Sequence, residues 1–224
     1  IMRGVDRYWK TSLPYIMPFA AWMGLMAILP PTALSYAART AATLLIGVVC
    51  LAFGSRRCGR PPPGERHCRL GRAAAHVSVG ILVGLAVFVL WTALPSWPFA
   101  GPDVQSPSPY DPGVCGWPLT VARLVGSSFV IAPVEEVFFR SFLYRRLIAR
   151  DIRSVPLSRF DMSAFLWTVL LFTLEHNRPI AAAMTGVAYG LLAIRFGLKS
   201  AIAAHVTTNL ALAVFVIHKG AWQF

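Results

Sequence analysis

Ala132-Pro133-Val134-Glu135-Glu136-Val137-Phe138-Phe139-Arg140 lies inside an apolar run from Leu124 to Leu147. Two adjacent carboxylates and a guanidinium are costly there. On insertion scales an ionised side chain at bilayer depth costs about 2.5–3.5 kcal/mol. Three together imply either a site or a closed ion-pair network. On a helix Glu136 and Arg140 are one turn apart, share a face and can pair. Glu135 is turned away from Glu136 by about 100°. One carboxylate can thus be neutralised by arginine while the other faces a cavity. Two further polar patterns fall in apolar segments with one-turn spacing: Phe172-x-x-x-His176 and His205-x-x-x-Asn209.

The surrounding composition sets the class. The chain has 224 residues, of which 56% are apolar and 13% charged. That is too apolar for an ordinary soluble domain. Several runs approach the roughly 20 residues that cross a bilayer core. The expectation is an all-α, polytopic transmembrane helical bundle forming a single integral membrane domain over 1–224, with no polar segment long enough for a second domain. The net charge of +12 does not read as nucleic-acid binding, because most arginines fall between apolar runs. It reads as the positive-inside bias together with attraction to anionic lipid.

Working outward, the apolar segments are Leu13–Leu29, Ala37–Phe53, Ala73–Leu94, Leu119–Ile148, Met162–His176, Ile180–Phe196 and Ala201–Ile217. That gives about 7–8 membrane-spanning helices, the eighth arising if Pro133 divides 119–148. The stretch Ser55–Arg72 holds six arginines and one acid, and Arg145–Arg159 forms a second basic loop. Both mark the cytoplasmic side. Pro95–Pro118 has no Lys or Arg, is flanked by Trp91, Trp97 and Trp117, and marks the opposite side. Simple threading then puts His176 near the outer surface and His205 near the inner one. A joint site needs a short, tilted or displaced helix. Gly186 and Gly190 have the small-xxx-small spacing of close helix approach. Arg123 and Arg195 are expected to snorkel to an interface. Cys58, His67 and Cys68 share a loop, but their spacing matches no standard metal site and free thiols are the plainer reading.

If Glu135, His176, His205 and Asn209 converge, the chemistry is definite. A carboxylate shielded from water is a stronger base, suited to take a proton from water. A neutral histidine can hold the same water. A second histidine and an amide can stabilise an oxyanion. The set points to amide hydrolysis by an activated water. There is no His-Glu-x-x-His or Gly-x-Ser-x-Gly motif, and Ser127 and Ser128 are expected to bond backbone rather than act as nucleophiles. A buried set that is purely structural would instead suit a non-enzymatic membrane immunity or scaffold protein. Proton-carrying transport is a third reading, although no inverted repeat is visible.

These residues resemble the three motifs of the CAAX prenyl protease and bacteriocin-processing family of intramembrane proteases. Glu-Glu-x-x-x-Arg is matched by Glu135, Glu136 and Arg140; Phe-x-x-x-His by Phe172 and His176; His-x-x-x-Asn by His205 and Asn209. The similarity covers roughly 118–217, which would be the catalytic core. It implies an eight-helix bundle with a site reached from the cytoplasmic leaflet. It further implies that Glu135 and His176 activate water and that His205 and Asn209 stabilise the oxyanion, with Glu136 and Arg140 as a structural ion pair. It implies no certain cofactor. A divalent metal such as zinc, if used, would sit on Glu135, His176 and His205. Partners would be membrane lipid and a protein or peptide substrate, with no nucleic acid. The tail from Ala204-His205 to Trp222 resembles the exosortase-associated bacterial branch, which implies a bacterial inner-membrane protein and disfavours a prenylated substrate.

Overall fold

The computed structural model describes residues 2–54, 66–94 and 108–222, and among them every regular element is helical. The side chains of Cys58, His67 and Cys68, most of the 55–72 stretch, and Trp97 lie outside the described residues.

Seven helices carry the apolar segments. They are α1 (Met2–Ile28), α2 (Ala33–Gly54), α3 (Arg66–Ala93), α4 (Trp117–Ile148), α5 (Met162–Leu174), α6 (Pro179–Phe196) and α7 (Leu198–Lys219). Among the described residues, five contain a stretch long and apolar enough to cross a membrane: Ala33–Ala52, Ala73–Ala93, Trp117–Ile148, Pro179–Phe196 and Leu198–Lys219. Two shorter apolar helices, Ser12–Ile28 and Met162–Leu174, pack beside them. Of the expected 7–8 spans, five among the described residues meet that length and composition. The described part of α1 and all of α5 are shorter, the 13 residues of α5 rising only about 20 Å at 1.5 Å each. Leu44, Leu45, Val48 and Leu51 on α2 are exposed, as are Leu166, Trp167, Leu170 and Leu174 on α5. Such outward apolar faces suit lipid.

Pro133 does not divide α4. The segment continues through two π-helical stretches, Ser127–Ile131 and Val137–Leu143. The first is closed by the Ala132 N–H donating to Ser127 O, five residues back. Proline lacks an N–H, and in a regular helix its ring would press on the preceding turn. The widened turn falls directly before Pro133 and absorbs that conflict. π-turns inside α-helices occur often at functional sites; these two bracket Glu135 and Glu136.

Glycine sets the helix contacts behind the site. A Cβ on Gly190 would lie 2.7 Å from Phe165 Cε2, and one on Gly186 would touch Val169 and Phe172. The expected glycine pair on α6 thus packs against α5. A second pair, Gly80 and Gly84, brings α3 onto α7, where a Cβ would run into the backbone carbonyls of Ser200 and Ala204. Hydroxyls stitch the same seam: Thr208 Oγ1 donates to Gly84 O at 2.7 Å, and Ser200 Oγ to His76 O at 2.7 Å.

Candidate active site

The site forms where α4, α5 and α7 meet. Glu136 is fully buried and has two partners. Its Oε2 lies 3.3 Å from Arg140 Nε, and its Oε1 lies 3.1 Å from His205 Nδ1. The Arg140 contact is an ion pair by distance without the alignment of a hydrogen bond; the guanidinium also lies 4.8 Å over the Phe172 ring. The expected ion pair is thus one arm of a bridge, whose other arm fixes His205.

A carboxylate only accepts when ionised, so the Nδ1 of His205 is the donor to Glu136. The other nitrogen, Nε2, lies 3.7 Å from Glu135 Oε2. His205 therefore spans both glutamates. Its ring is held by Tyr189, with centroids 5.2 Å apart, and Tyr189 OH pairs with Thr208 Oγ1 at 2.6 Å. Tyr189 and Thr208 were not singled out by sequence reasoning. Thr208 lies one residue before Asn209, which was the available signal.

His176 follows the end of α5. Its Nδ1 lies 2.7 Å from Phe172 O. A carbonyl only accepts, so Nδ1 donates and the lone pair of the neutral ring sits on Nε2. Phe172 is fully buried, with ring centroids 4.4 Å from His176 and 6.2 Å from His205. Because α5 is short, His176 approaches the cluster that simple threading kept it from. The Phe-x-x-x-His spacing thereby places one ring beside both histidines.

Asn209 donates from Nδ2 to Ser127 O at 3.0 Å. That carbonyl also closes the first π-turn, so the irregular backbone before Pro133 holds the amide. The hydroxyls of Ser127 and Ser128 both bond Leu124 O, the backbone role expected for membrane serines. Trp91 donates to Thr185 Oγ1 at 2.8 Å and meets His176 edge-on at 5.8 Å, and Arg178 donates to Trp91 O and Leu94 O. Trp91 reads in the sequence as an interface aromatic; it also braces the His176 loop. Arg123 does not simply snorkel, since its guanidinium sits 4.2 Å over Tyr110.

Among the described residues no three His, Cys, Asp or Glu side chains are grouped to hold a metal ion. Glu136 takes Nδ1 of His205 and Phe172 O takes Nδ1 of His176, which leaves the two Nε2 atoms and the Glu135 carboxylate as the donors a metal would use.

A helical membrane protein with buried glutamates bridged by a histidine defines the class. Residues 117–211 match the family described as type II CAAX prenyl endopeptidase Rce1-like. The match spans all three motifs. It does not show the exosortase-associated branch. No curated protein and no solved structure matches the chain.

Proposed function

We propose that the chain is an intramembrane endopeptidase that hydrolyses a peptide bond of a membrane-associated protein by a glutamate-activated water. The observation that carries this reading is the pairing of Glu135 with His205, whose far nitrogen is anchored by Glu136. Glu135 is 8% exposed, so it is shielded yet reachable. Water held between Glu135 and His176 Nε2 gives its proton to Glu135 and attacks the carbonyl carbon. The oxyanion takes hydrogen bonds from the second N–H of the Asn209 amide and from Nε2–H of a protonated His205. The Glu136 carboxylate at Nδ1 supplies the countercharge for that imidazolium, as the orienting acid does in a catalytic triad. Collapse breaks the C–N bond, and Glu135 returns the proton to the leaving amine. Arg140 holds Glu136 and is a positioning residue. A divalent metal, if one binds, would be held by Glu135 and the Nε2 atoms of His176 and His205.

We take the approach to this site to be from the half opposite the cytoplasmic leaflet that the family resemblance implies. His176 and Arg178 lie against Trp91 and Leu94, at the end of α3 that leads into the Pro95–Pro118 loop. That end is opposite the basic stretches. The reading is a bacterial plasma-membrane enzyme whose substrate enters from the non-cytoplasmic half.

The test is chain-terminus profiling of membrane proteins from cells carrying wild type or Glu135→Gln. The hydrolase reading expects a precursor that accumulates, uncut, with the variant. Equal processing by the variant sinks the general-base role and leaves a binding protein of the same fold.

A further inference from the structure

Arg39 lies in the membrane segment of α2, two turns from its start, with no use in the mechanism above. It is 4% exposed, yet among the described residues no carboxylate pairs with it and its Nε makes no hydrogen bond. Its guanidinium lies 5.0 Å from the Trp22 ring and 5.5 Å from the Tyr36 ring. Ring faces attract a cation but offer no acceptor to its five N–H donors. Thr43, one turn further along the same face, has a fully buried hydroxyl without a partner. Among the described residues the guanidinium therefore has no anionic partner, and the Thr43 hydroxyl on the same face is free to donate or to accept.

It is also continuous with the candidate active site. Trp22 packs edge-on to Tyr36, and Tyr36 to Tyr110, over which Arg123 sits. Tyr36 faces the Ser127 side chain. Ser127 O is the acceptor of Asn209. One layer of side chains separates Arg39 from the residues placed around the scissile carbonyl.

We propose that Arg39, seated between Trp22 and Tyr36, anchors an oxyanion-binding subsite that takes a carboxylate or phosphate group next to the candidate active site. The planar fork of arginine matches both groups in two-point contact, which a lysine cannot reproduce. A carboxylate would come from the substrate chain, as a terminus or an acidic side chain. A phosphate would come from a lipid headgroup held beside it. Calling the position a subsite rests on the hydrolase reading; the anion binding itself does not.

The experiment uses the full chain in phosphatidylcholine nanodiscs, titrated with three probes sharing one tail: octanoate, octyl phosphate and octanol. Binding is read by calorimetry for wild type, Arg39→Gln and Arg39→Lys. Wild type should bind an anionic probe at least about tenfold more tightly than octanol, and each variant should lose about tenfold, as expected for charge-assisted bonds. Preference for octanoate identifies the substrate chain as the source, and preference for octyl phosphate a headgroup. Arg39→Lys keeps the charge, so the comparison stands even if Arg39→Gln does not fold. Anionic probes that bind no better than octanol, or an Arg39→Lys chain that binds as wild type does, overturn the proposal. No turnover is needed, so failure of the hydrolase reading is seen separately, in terminus profiling.

Discussion

Replacing Arg140 with methionine should destabilise the fold by an amount the structure bounds. Arg140 and Glu136 are 2% and 0% exposed, and their facing atoms are 3.3 Å apart. Removing one member of a buried pair typically costs about 3–5 kcal/mol, because the other charge is left uncompensated. Here Glu136 keeps His205 at 3.1 Å, so the loss should fall at the lower end, about 3 kcal/mol. The double variant Glu136→Leu/Arg140→Met removes both charges and leaves His205 Nδ1 without its acceptor. An unsatisfied buried group costs about 1–3 kcal/mol. Its total should therefore fall short of the summed single variants by about 2 kcal/mol, the size expected of a directly interacting pair. Arg140→Lys should stay within about 1 kcal/mol, a typical single hydrogen bond, because the terminal guanidinium nitrogens make no hydrogen bonds that lysine would lose. The assay is SDS-induced unfolding in mixed micelles for wild type and the four variants. An Arg140→Met chain as stable as wild type, with strictly additive free energies, would refute the bridge.

The crossing of α3 and α7 predicts that Gly84→Leu loses most folded protein, since even a Cβ meets the Ala204 carbonyl, whereas Gly47→Leu, with open space around it, expresses normally; size-exclusion profiles of the two compare them directly. The placement of His176 near the Pro95–Pro118 end predicts that a cysteine replacing exposed Asn177, in a background without the native cysteines, reacts with an impermeant maleimide in intact cells. Labelling only in inverted vesicles would put the approach on the cytoplasmic side.

The helical bundle and its motifs were legible because each charge in an apolar run stands out against a membrane background. Glu135, Glu136, Arg140, His176, His205 and Asn209 are visible for that reason. Their distances were not. One-turn spacing put Glu136 beside Arg140 but could not show that the same carboxylate reaches His205, 69 residues later. Apolar length suggested that the α5 segment spans, whereas Asp161 caps its first turn through the Ala164 N–H and its 13 residues end it early. That early end is what brings His176 to Phe172 and the cluster. The π-turns at Ser127–Ile131 and Val137–Leu143 leave no residue-type signature beyond Pro133, so α4 reads equally as one helix or two. Gly80 and Gly84 carry the same spacing as Gly186 and Gly190, and are visible in the sequence once the role of small residues is sought on every helix. Tyr189 reads as one more apolar-run aromatic until His205 is seen against its ring.

The most direct test of a hydrolytic site at Glu135 needs no known substrate. Membranes holding wild type or Glu135→Gln are incubated in H₂¹⁸O, and the carboxyl termini of membrane proteins are read by mass spectrometry. Hydrolysis places one ¹⁸O in each newly made terminus. The account predicts labelled termini that appear with wild type and are absent with Glu135→Gln. The same labelled termini in both membranes would contradict it.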